Sequence, residues 1–572
     1  MVRLWFGRYP PRRSSLRPNH AEAANASYST AQEPGAADGS PSSSCSTTTY
    51  FLRAVPLSPA YGERPSTWPV QEPLDMDEDE RGESPPVDKI MWMDDEWWRA
   101  YKRNARRAAA IEAAPTYARY RSEDKNDELE DPMSKAELEH VESAGPFSAA
   151  MEIIQRRVDT MRSSPERDIV QWKPSYQQRL RTAPSLLILC LMTLRKHGEE
   201  IESLEGIPDD LKHKIVKLLC SSRKMNARIL ETCLNGSTTE VKLSDCSWAS
   251  EEVLQNALAN CSIDRLEVLQ LDLCGRCMST YVLQTALAKS QTGFTSLMRL
   301  SLKGAYRLTD NALSLLASSA PSLRSIDLGK CSLITSCGII SLAEKLNLEE
   351  LYIDYCMRID VMQILPMLEK LTHLEVLSVS GVPTVSNDFV LRMMLARGYK
   401  MRVLVFACCQ KLTTRSISAI ASNCSQLRIL NIQDLRCLND SALKYLASGC
   451  RSMTSLKLRQ SRFSDESIAA FLEVSGDSLI ELSLNNVAKV AHQTAIAISL
   501  KCRLNLQYLD LSFCRQLTDE ELGFIVDTCS RLRVLKLFGC SQVTKEFNQW
   551  HRNPEVEIIG LEQVILDELV IL

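Results

Sequence analysis

The chain has only seven histidines in 572 residues, and they lie far apart. It carries no P-loop, HExxH, nucleophile elbow or kinase signature, so a non-catalytic protein without a cofactor is expected. No run of 18 or more apolar residues exists, and the N-terminus lacks the apolar core of a secretion signal. Both absences point away from secretion and from a membrane span. Residues 1–20 hold five arginines and no acid, as in an organelle transit peptide, but the Pro- and Ser-rich stretch that follows is that of a disordered tail.

What is abundant is a period. The unit Leu-x-x-Leu-x-Leu-x-x-Cys opens at Leu266, Leu297, Leu323, Leu348, Leu374, Met401, Leu427, Met453, Leu479, Leu506 and Leu532, mostly every 26 residues. A degenerate unit precedes them (Val241, Leu243, Cys246), and a last strand at Val556, Ile559 and Leu561 closes the series. Apolar fourth and sixth places alternating with polar ones predict a short strand buried on one face. A helix follows each strand; after Leu506–Cys514 it begins where Thr518 or Asp519 can cap it. No unit can bury its own core, so stacking must do it. The fold class expected is α/β, a leucine-rich-repeat solenoid of the cysteine-containing type, with an N-terminal helical cap and a disordered N-terminal tail.

The 20 cysteines follow the repeat. Cys246, Cys274, Cys331, Cys356, Cys409, Cys514 and Cys540 fill the ninth place, and Cys424, Cys450 and Cys529 end helices. Such positions predict buried thiols of a reducing compartment. Cys274-Gly-Arg-Cys277 has the spacing of half a zinc site but no second pair, so no metal site is assigned.

Residues 1–90 lack any period and are expected to be disordered; residues 91–144 form a charged tether. Within the tether, Trp92, Trp97, Trp98 and Tyr101 sit on a predicted helix that either binds a partner or packs back on the solenoid. Lys102–Arg107 reads equally as a nuclear import signal or a solvated helix face. The helical region 145–235 precedes the solenoid, 238–572. It opens with a helix from Gly145 whose stripe of Phe147, Met151, Ile154, Val158 and Met161 needs a covering surface.

The run Pro184–Leu194 is too short to cross a bilayer and too apolar to lie uncovered. Ser185, Leu186, Cys190 and Leu194 have the spacing of an elongin-C-binding box. Beyond it, Ile207-Pro-Asp-Asp-Leu211 opens an amphipathic helix, with Leu211, Ile215, Leu218 and Leu219 on one face. It is placed like the cullin-facing half of a SOCS box and also resembles the opening of an F-box, which would bring a Skp-type adaptor instead. The alternative is that these helices only cap the array.

Together, the cysteine-bearing repeats, the run Leu535–Thr544 and the segments Ser221–Asn226 and Gly145–Met151 resemble the Rad-seven-like proteins of global-genome nucleotide excision repair, over about residues 145 to 565. The repeat alone is shared with F-box leucine-rich-repeat proteins. The resemblance implies a nuclear, non-catalytic subunit that works with a Swi/Snf-type ATPase in recognising DNA damage. It also implies a box recruiting an elongin-C-like adaptor through Leu186, Cys190 and Leu194, and a cullin through Ile207, Pro208 and Leu211. Ile207 departs from the Leu usual in SOCS boxes.

Places three, five and seven of each unit should line the concave face. There Tyr352, Val376, Val403, Val405 and Ile429 form an apolar middle, flanked by acids on one side and by Lys457 and Arg459 on the other. That is the composition of a protein interface. A nucleic-acid surface should show a basic stripe tracking phosphates; with a net charge of −4 and no such stripe, direct tight nucleic-acid binding is not expected.

Overall fold

The structure is a computed structural model that describes residues 145–163, 172–175, 184–201, 204, 206–234, 239–290 and 292–561. The readings made for residues 1–144 lie outside the described residues. Each repeat contributes one short strand, and all pair in sequence order into a 13-stranded sheet, from β1 (Glu240–Leu243) and β2 (Val268–Leu271) to β13 (Glu557–Ile559). The pairing is parallel throughout, with fourth-place residues opposite one another, as in Leu482 against Leu456 and Leu509. Fourth- and sixth-place side chains such as Leu404, Phe406, Leu509 and Leu511 are fully buried beneath the sheet. Helices of 8 to 11 residues lead from each of the first eleven strands to the next, and a four-residue helix, Phe547–Trp550, leads from the twelfth to the last.

The turn off each strand is set by a ladder that the sequence pattern did not reveal. Eighth-place residues adopt left-handed backbone: Leu273, Lys330, Tyr355, Cys408 and Phe513 have φ between 55° and 64°. This conformation costs a non-glycine residue roughly 1–2 kcal/mol. It is offset by a backbone hydrogen bond from each of these N–H groups to the seventh-place carbonyl of the next repeat, at 2.6 to 3.0 Å. The side chain is thereby thrown outward, so Tyr355 and Phe513 lie against Gly381 and Gly539, where a Cβ would come within 2.5 Å of the ring.

The ninth-place thiols are buried and bonded. Cys356, Cys409, Cys514 and Cys540 donate to sixth-place carbonyls of the preceding repeat at 3.1 to 3.3 Å. Burial pushes the Cys356 and Cys540 thiols up to about 11 and Cys514 to about 12. Cys274 and Cys277 are both fully buried, and Cys277 Sγ donates to Cys274 O at 3.5 Å. Among the described residues no group of three or more His, Cys, Asp or Glu is placed to hold a metal.

The last strand departs from the expected pattern. Ile558, not Ile559, lies opposite Leu535, a slip of one residue that moves every side chain of the strand to the other face. Buried Asn553 fixes this register, its amide donating to Cys529 O and Leu532 O at 3.2 and 3.4 Å.

Helix α1 (Pro146–Ser163) finds its covering surface on the helices of two late repeats, Ser441–Gly449 and Asp465–Ser475. Phe147, Ala150 and Ile154 are buried there, and Arg157 pairs with Glu473 at 2.8 Å. Further along, Trp172 packs over Gly523 and Phe547 and donates its indole N–H to Asp527 at 2.9 Å. Ser175 N–H then donates to Trp550 O, beyond the twelfth strand. Pro184, nine residues on, leads into α2 (Leu186–Lys196), which packs on α3 (Asp209–Ser221) and so on β1. Helix α1 and Trp172 thus both lie against helices of the late repeats, on the helix side of the array.

Candidate functional site

Helix α2 is capped by Ser185, whose hydroxyl accepts from Ile188 N–H at 3.3 Å. Leu191 is buried and Leu194 half-buried against the core, which fixes the helix to its neighbours. The opposite face is bare. Leu186 is 77% exposed, and Leu187, Leu189, Cys190 and Met192 are exposed beside it. The sequence pattern placed Leu194 with Leu186 and Cys190, but successive i, i+4 steps on an α-helix drift about 40°. That drift carries Leu194 to the core side, so it is not part of the open face.

The segment after α2 is only partly available. Pro208 is exposed and starts α3, Ile207 packs against the core, and Leu211 is half-buried. Ile215, Val216, Leu218 and Leu219 are buried, so this helix closes the first-strand end of the core.

On the sheet floor Tyr352, Val403, Val405, Ile429 and Lys457 are half-exposed and Arg459 is exposed. Val376 is a correction: at 8% exposure it is pinched between neighbouring strands and offers almost no surface. Lys457 is not free either, since it pairs with Glu481 at 2.8 Å. On the acidic side, Asp354 accepts from Ser378 Oγ and Ser380 N at 2.6 Å each. Burial raises the Asp327 carboxyl, and Asp272 and Asp354 nearby add to the shift.

A leucine-rich-repeat family model matches residues 504–520. The DNA repair protein rhp7 of Schizosaccharomyces pombe is 24% identical over 357 residues, 60% of this chain and 57% of that protein. One chain of the crystal structure of the Rad7 and Elc1 complex in yeast superposes with a TM-score of 0.52 at 17% identity, covering 73% of this chain and 98% of that one. The chain is thus similar in part of its sequence to rhp7 and in fold to a chain of the Rad7–Elc1 complex. Its match spans little more than half the length of the curated relative, and the structural likeness is one of fold.

A feature of this solenoid lies outside the strands and corrects the expectation that no basic stripe exists. In eight of the eleven full repeats the tenth or eleventh place is Arg or Lys, and in none is it acidic. These residues sit just past the ninth place, on the rim where strands end and helices begin. Arg276, Arg358, Lys411, Arg436, Lys489 and Arg515 are all exposed there. The row is carried by the turns and not by the strand places, so the strand pattern alone does not show it.

Proposed function

We propose that the chain is a non-catalytic substrate-receptor subunit of a cullin-type ubiquitin ligase acting in nucleotide excision repair in the nucleus. The observation that carries the reading is the bare face of α2. A helix fixed on one side by Leu191 and exposing Leu186, Leu189, Cys190 and Met192 on the other is a ready docking element. Covering each leucine contributes roughly 1.5–3 kcal/mol. The occupant proposed is an elongin-C-like adaptor, supported by the fold shared with a chain solved in complex with Elc1. Pro208 at the start of α3 is the exposed point for a cullin, and the sheet floor takes the protein substrate. A Swi/Snf-type ATPase is the proposed companion in damage recognition.

Co-purification with elongin C tests this, comparing wild type with the Leu186→Asp, Cys190→Asp variant, both checked by circular dichroism. Loss of binding with the helix and strand signals intact supports the ligase reading. If the folded wild type does not bind, the helices are only a cap and the protein is a repeat scaffold.

A further inference from the structure

The basic row on the rim is independent of α2, and we propose that it is a track for a single strand of nucleic acid. From the repeat of β2 to that opening at Leu506 the row crosses nine strand steps, about 43 Å. Arg276, Arg358, Lys411, Arg436, Lys489 and Arg515 have no carboxylate within 4 Å among the described residues, whereas Arg307 of the same row pairs with Glu251 at 2.8 Å.

Several acids at the nearby helix starts are held within the array, while Asp388 is exposed. Asp310, Asp440 and Asp519, at the starts of their helices, each bond the backbone N–H and hydroxyl of a Thr or Ser in the following repeat. Asp465 is likewise held by Ala491 and Gln493 N–H groups at 2.8 Å. Their charge is thus occupied within the array, while the cations face solvent. The repeat helices also begin on this rim, so their positive dipole ends add to the field.

Exposed rings on the same rim decide between classes of polyanion. The left-handed eighth place projects Tyr355 and Phe513, and Tyr306 and Phe538 stand exposed beside them. Each of Tyr306, Tyr355 and Phe513 rests on a glycine of a neighbouring repeat and leaves the rest of its ring exposed, and cations interleaved with such partly exposed rings suit a strand whose bases are free to stack. A duplex hides those bases, and an acidic peptide has none. The floor carboxylates Asp272, Asp327 and Asp354, at the fifth and seventh places, are likewise hydrogen-bonded within the sheet, so the open cations lie on the rim and not on the floor beside them.

Fluorescence anisotropy with the full-length protein tests the track, using a labelled 20-nucleotide single-stranded DNA and its duplex. Six neutralised phosphates predict a log–log salt slope of about −4, at ~0.7 per contact. Arg358→Glu, Lys411→Glu and Arg515→Glu together should weaken binding at least about tenfold and reduce the slope by about 2. The matched set Arg428→Glu, Arg451→Glu and Arg503→Glu, exposed where strands begin, should leave binding within about twofold. Tyr355→Ala with Phe513→Ala should weaken the single strand more than the duplex. Glutamine versions of the three rim changes, verified by circular dichroism, separate lost contacts from misfolding. The proposal is overturned by absence of wild-type binding at low salt, by equal losses in the two charge-reversed sets, by retained binding in the rim set, or by tighter binding of duplex or of anionic vesicles.

Discussion

Replacing Gly523 with Ala sets two effects of opposite sign against each other. Gly523 lies inside the helix Asp519–Thr528, where alanine is favoured by about 1 kcal/mol. The new Cβ, however, would fall 2.2 Å from the Trp172 ring, closer than atoms can approach. Trp172 must then leave, and it is a half-buried indole hydrogen-bonded to the Asp527 carboxylate. Lost packing of about 1–2 kcal/mol and a charged hydrogen bond of about 1.5–3 kcal/mol exceed the helix gain. Gly523→Ala should therefore destabilise by about 1.5–4 kcal/mol and expose the chain at Trp172 to protease while the repeats stay folded. In a Trp172→Ala background the obstacle is gone, and the same change should stabilise by about 1 kcal/mol. Denaturant melts of the four proteins of this cycle, with limited proteolysis, give the answer. If Gly523→Ala has the same effect with and without Trp172, the indole does not sit where the structure places it.

Thiol chemistry should divide the cysteines by burial: Cys190, Cys337 and Cys437 are exposed and should react with a disulfide reagent in the native protein. The ninth-place thiols, raised by burial, should react only on unfolding; fast native labelling of Cys356 or Cys514 would contradict their placement. Stability should also depend on pH through His492, whose Nδ1 lies 3.4 Å from Glu521. Its hydrogen bond to that carboxylate raises the imidazole above its usual value, so its contribution is full below about pH 6.5 and is lost as pH rises through the folded value. Burial pushes the Glu521 carboxyl up, but bonds from His492 and Thr518 outweigh this and hold it at about 2. Its contribution is present above the ordinary carboxylate range and fades as pH falls toward 2. Melting scans from pH 5 to 9 should show the alkaline loss in wild type and not in His492→Gln.

The period of apolar places determined most of the architecture by itself. A unit that cannot bury its own core has to stack, so strand order, parallel pairing, the burial of Leu404 or Leu509 and the inward ninth-place thiols all follow from local spacing. The exposed Leu186 and Cys190 were legible for the same reason, since helical spacing assigns them one stripe. Three matters were decided only by tertiary structure, because they depend on what lies across the fold. Val376 lost its surface and Leu194 part of it to neighbours that their own repeat or helix does not contain. The stripe of α1 showed that it needed cover, but the cover is made of helices some 300 residues later, around Glu473. The rim of cations arises because the eighth-place left-handed turn repeats in register, bringing residues about 26 apart in sequence onto one edge.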